Sequence, residues 1–120
     1  MAKPGERGFK RVASAARYSW SGLKACWRME AAFRQELTAC VLFVPAALLL
    51  GQGGAEKAIL LSVCFIVLIV EILNSSIEAV VDRIGSEHHD LSGLAKDLGS
   101  AAVFVSLGLF LSVWTLVLWF

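Results

Sequence analysis

Cysteine is scarce and scattered in this sequence. Cys26, Cys40 and Cys64 stand alone at wide spacings within or beside apolar segments, with no Cys-x-x-Cys pair. That spacing argues against a disulfide framework or a zinc site. The two histidines, His88 and His89, are adjacent rather than four apart, so a helix cannot aim both at one metal. A phosphate loop is missing too: GQGGAEK (residues 51–57) has glycines and a final lysine but not the GxxxxGK[ST] pattern, and it reads as a turn. No apolar core of about 7–15 residues follows the first basic residues and no small-residue cleavage site is present, so uncleaved insertion is expected. Charge is sparse at 18% against 58% hydrophobic residues, and the mean hydropathy of +0.71 places the chain in the membrane class. A length of 120 residues allows one domain.

The expected fold is all-α: a surface helix over about 8–28 and transmembrane helices over about 31–50, 56–83 and 91–120. Residues 1–8 are polar and read as a mobile tail. Phe9, Val12, Ala13, Ala16, Trp20, Leu23 and Trp27 then share one helical face, while Lys10, Arg11, Arg17, Lys24 and Arg28 lie elsewhere. A basic face opposite an apolar face with two tryptophans describes a helix lying in the membrane interface. Gly22 and Pro45 are candidate kinks. Asp90 or Ser92 is expected to cap the last helix. All but three of the eleven Lys and Arg (Lys57, Arg83 and Lys96) precede Leu37. Only Lys57 falls in the 51–57 turn, so the basic ends face the cytoplasm and the C-terminus lies outside.

The most informative stretch is EILNSSIEAVVD, residues 71–82. On a helix Glu71, Asn74, Ser75, Glu78 and Asp82 fall within about 60° of one direction. Charges at the end of a membrane helix must face protein, water or a bound ion, which marks a working site rather than a packing seam. Glu71 lies about 10 Å deeper than Glu78 along the helix. Its depth suits a general base for a lipid hydroxyl, while Glu78 with Glu30 suits Mg²⁺ carrying nucleotide phosphates. Arg11 and Lys96 can neutralise phosphate charge. Together these groups suit phosphoryl transfer from a nucleotide to a lipid alcohol.

EAAFRQE (30–36), EILNSSIEAVVDRI (71–84) and LAKDLGSAAV (94–103) resemble the signature segments of the prokaryotic integral-membrane diacylglycerol kinases, in matching order and spacing from Gly8 onward. The resemblance implies a homotrimer in the bacterial inner membrane that uses Mg-ATP to convert diacylglycerol to phosphatidic acid. It also implies roles for particular residues. Glu71 is the catalytic base supported by Asn74, and Glu30 and Glu78 are metal ligands. Arg11, Tyr18, Glu30, Glu78, Glu87, His88, His89, Lys96 and Asp97 meet the nucleotide. The lipid meets Arg11, Ser14, Ala15, Ala16, Arg17, Tyr18 and Ser19, then Leu23, Lys24, Ala25 and Cys26. Further lipid contacts are Ala32, Phe33, Arg34, Gln35, Glu36, Glu71 and Ser100. Ser14 stands where the family often has a basic residue, and His88 where it often has Tyr.

Simpler roles remain open for several of these residues. Lys24 can contact anionic headgroups alone, and Arg34 with Glu36 can form an interfacial ion pair. Ser100, with Gly99, Ala101 and Ala102, can serve close helix packing. The competing functions are an undecaprenol kinase of the same family, a small multidrug transporter and a purely structural membrane protein. A transporter of that kind needs four spans and a midplane acid, and a structural protein leaves the acidic stripe unexplained.

Overall fold

The computed structural model describes residues 5, 7–85 and 87–120; most of the expected tail lies outside them. Four helices follow one another: α1 (Gly8–Met29), α2 (Ala31–Leu50), α3 (Gly53–Ile84) and α4 (Asp90–Trp119). The chain divides into two units, 1–31 and 32–120. The first is α1 with the residue that ends it, Glu30, whose backbone is extended at φ −117° and ψ 107° and whose N–H donates to the Cys26 carbonyl at 2.9 Å. α1 runs unbroken through Gly22, and α2 through Pro45.

The second unit holds α2, α3 and α4, the three helices long and apolar enough to cross a membrane. The 20 residues of α2 rise about 30 Å, which matches a hydrocarbon core. At 32 residues α3 reaches about 48 Å, so its last turns can stand clear of the hydrocarbon. α3 starts at Gly53, earlier than the turn expected over 51–57, because the Glu56 carboxylate accepts the Gln52 N–H at 3.1 Å and satisfies a donor of the first turn. Gly53 enters the helix at φ 84°, a conformation that favours glycine. The cap of α4 also differs from expectation. His89, rather than Asp90 or Ser92, takes the N-cap, and its Nδ1 accepts the Leu91 N–H at 3.1 Å. An imidazole nitrogen here does what an Asp or Ser oxygen does at other helix starts.

The apolar core lies toward the 51–52 turn, where Ala47 of α2, Leu60, Val63 and Cys64 of α3 and Trp114 of α4 are buried together. Trp114 is tied across by its indole Nε1–H, which donates to the Leu60 carbonyl at 3.2 Å. Phe43, Phe110 and Trp114 pack ring against ring, with centroids 5.0 to 5.3 Å apart. From this core α3 and α4 run along each other toward their polar ends.

Candidate active site along the seam of α3 and α4

Along α3 the buried face keeps its direction while its chemistry changes. Leu60, Cys64 and Val67 are buried apolar residues on that face, and the next in line, Glu71, is a carboxylic acid with only 3% of its surface exposed. Asn74, Glu78 and Asp82 continue the line, all within about 40° of it at a helical step of 100°. The stripe read from the sequence is thus the continuation of the core.

Each acid has defined company. Asn74 Nδ2 donates to Glu78 Oε1 at 3.2 Å, while Asn74 Oδ1 is buried with no hydrogen-bond partner. Lys96 of α4 forms an ion pair with Asp82 of α3 at 2.8 Å, and the Glu78 charge also acts on it. From α2, Glu36 comes close enough to Glu71 for the two carboxyl groups to interact. Glu36 Oε2 is itself buried without a partner. Behind Glu36 a cleft of about 110 Å³ runs along α2, α3 and α4 past Cys40, Phe43, Val67 and Phe110.

Of the residues singled out in the sequence, Glu71, Asn74, Glu78 and Lys96 gather along one seam, and Glu36 joins them. Ala32, Phe33, Arg34 and Gln35 occupy the first turns of α2, with Phe33 buried. Asp97 and Ser100 are exposed on α4 beyond Lys96. Glu87, His88 and His89 line a separate open hollow of about 390 Å³ between α3 and α4, where His88 Nε2 lies 3.4 Å from Asp90. Arg11, Ser14, Ala15, Ala16, Arg17, Tyr18, Ser19, Leu23, Lys24, Ala25 and Cys26 lie on α1 of the first unit, where the Arg17 guanidinium stands 5.4 Å from the Tyr18 ring centroid. Asp82 and Gly99 enter the seam without a role assigned from the sequence. Asp82 belongs to the stripe, but a sequence cannot show which cation it meets; Gly99, beside Ser100, reads from the sequence only as a packing residue.

Among the described residues no three His, Cys, Asp or Glu side chains gather as a metal cluster. Mg²⁺ needs less, commonly one or two carboxylates with water and phosphate oxygens. Glu78 fits that need, because an outer donor, the Asn74 amide, orients its carboxylate as such donors orient metal ligands.

Three membrane-length helices with acids and a lysine lined up at one end define a small integral-membrane protein with a polar site at its surface. The sequence pattern of the family described as prokaryotic diacylglycerol kinase matches residues 17–118. Diacylglycerol kinase of Escherichia coli K12 is 54% identical over 93% of this chain and 92% of its own length. The diacylglycerol kinases of Pseudomonas aeruginosa and Haemophilus influenzae are 47% and 41% identical, over 95% and 94% of this chain and 93% and 96% of their own lengths. The chain belongs to the prokaryotic diacylglycerol kinase family, and it is an enzyme of that family.

Proposed function

We propose that the chain transfers the γ-phosphoryl group of ATP to the free hydroxyl of diacylglycerol, yielding phosphatidic acid and ADP at the cytoplasmic surface of the bacterial inner membrane. Family membership supports the reaction class, and the burial of Glu71 where the apolar core gives way to acids is the observation that carries the reading. Glu71 takes the proton of the lipid hydroxyl as that oxygen bonds to the γ-phosphorus and the bond to ADP breaks. Asn74 supports the acids beside it. Glu30 and Glu78 are the ligands for Mg²⁺, which when bound offsets charge on the phosphate oxygens. Arg11, Tyr18, Glu87, His88, His89, Lys96 and Asp97 hold the nucleotide.

The lipid enters from the bilayer, its glycerol end against the assigned positions of α1, the first turns of α2 and Ser100. In this reading α1 lies in the membrane interface with its basic residues toward the headgroups. The active unit is a homotrimer with its site shared between subunits, a feature that rests on resemblance.

The test is phosphate transfer from labelled ATP by the purified protein in mixed micelles, with diacylglycerol and undecaprenol offered together. Label is expected in phosphatidic acid, and Glu71→Gln should lower kcat about 10²- to 10⁴-fold with nucleotide affinity nearly unchanged. Label in the polyprenol alone would move the function to undecaprenol phosphorylation. A Glu71→Gln protein with ordinary turnover would remove Glu71 as the base.

A further inference from the structure

Gly99 is buried on α4, and its missing side chain has an occupant. A Cβ at this position would overlap Asn74 Oδ1 and lie 3.2 Å from Asn74 Cγ. The other two glycines within α4, Gly93 and Gly108, have nothing within 4 Å of such a Cβ. The space is therefore used at one glycine of this helix and open at the others.

The amide in that space is held in one orientation. A carboxylate oxygen only accepts hydrogen bonds, so the Asn74 nitrogen faces Glu78 Oε1, at 3.2 Å, and the carbonyl oxygen turns toward Gly99. That oxygen is buried with no conventional donor. Its resting place against a bare Cα is therefore steric, helped at most by weak C–H donors.

We propose that Gly99 is a positioning residue for phosphoryl transfer: its bare Cα is the socket that seats the Asn74 amide, and the seated amide sets the Glu78 carboxylate. The assignment rests on Glu78 being a metal ligand, and it adds a residue that touches neither metal nor substrate. A methyl at position 99 forces the amide out of the socket and off Glu78, while Glu78 itself is untouched.

The experiment measures Mn²⁺ binding by electron paramagnetic resonance, without lipid or turnover, in the micelle-embedded full chain. Four proteins form the cycle: wild type, Gly99→Ala, Asn74→Ala and the double variant. Gly99→Ala is expected to weaken Mn²⁺ binding about tenfold, the lower end of what loss of a ligand-orienting group costs. The double variant should bind no more weakly than Asn74→Ala, because the displaced amide is already gone. Gly108→Ala should bind as wild type does. Unchanged binding in Gly99→Ala, or multiplicative losses in the double variant, would overturn the proposal.

If Gly99→Ala does not fold, the double variant should fold and bind like Asn74→Ala; failure of both to fold overturns the socket. Unchanged Mn²⁺ binding in Glu78→Ala defeats the metal assignment separately. The socket is then read from thermal unfolding of the same four proteins: Gly99→Ala should lower the midpoint less when Asn74 is already Ala, and an equal fall overturns it.

Discussion

At Lys96 two explanations of one ammonium group compete. It can be a pin between helices, since it meets Asp82 at 2.8 Å, or a phosphate contact that Asp82 and Glu78 keep in place. Both partners of the ion pair are substantially exposed, 46% for the lysine side chain and 65% for the aspartate. Exposed pairs of this kind contribute little to stability. Lys96→Met should therefore leave the unfolding midpoint nearly unchanged and raise KM for ATP about tenfold, with KM for diacylglycerol steady. Parallel titrations of the two substrates check this; a lower midpoint with an unchanged nucleotide KM would leave Lys96 as a pin. The acidic stripe was legible in the sequence because one helix fixes its own angles, so Glu71, Asn74, Glu78 and Asp82 had to share a face. The meetings of Asp82 with Lys96, Glu36 with Glu71 and Asn74 with Gly99 depend on the register of one helix against another. No spacing within a single segment encodes that register.

The helices themselves follow from long apolar runs, whereas their ends depend on single hydrogen bonds. Glu56 and His89 set the starts of α3 and α4 through side-chain contacts that a reading of residue types ranked below the turn glycines, Asp90 and Ser92. The pairing of α3 and α4 is likewise pinned at a point: the indole N–H of Trp114 on the buried Leu60 carbonyl. Replacing Trp114 by Phe keeps an aromatic ring beside Phe43 and Phe110 but leaves the carbonyl without that donor. That carbonyl keeps the Cys64 N–H of its own helix and still accepts the Cys64 thiol at 3.4 Å, so the expected cost is about 0.5–1.5 kcal/mol of stability, the net contribution of one hydrogen bond. Leu60 lies eleven residues from Glu71, about 16 Å along the helix, so both KM values should be unchanged. Denaturant unfolding in micelles, run beside the kinase assay, checks both halves; altered KM values would mean that the core end and the acidic end move as one body.

Across the molecule, the faces of α2, α3 and α4 that point away from the core carry Val41, Leu42, Leu49, Phe65, Phe104, Val105 and Leu111, all exposed in the single chain. Lipid tails and neighbouring copies cover such faces equally well, so apolar character alone cannot count subunits. Orientation is more tractable, because loop charge gives an expectation that labelling can test. The turn at residues 51–52 lies at the end of α2, α3 and α4 opposite Glu78 and Lys96, and Arg34 and Arg83 stand at that opposite end too. A single cysteine near this turn tests the orientation. Gly54 suits it better than Gly53, because Gly53 holds φ at +84° and a side chain there is strained, while a Cβ at Gly54 meets nothing within 4 Å. With Cys26, Cys40 and Cys64 changed to Ala, a membrane-impermeant maleimide should label Gly54→Cys in intact spheroplasts. Labelling only after lysis would invert the topology and put Glu71, Glu78 and Lys96 on the side without ATP. The phosphoryl-transfer reading could not survive that result.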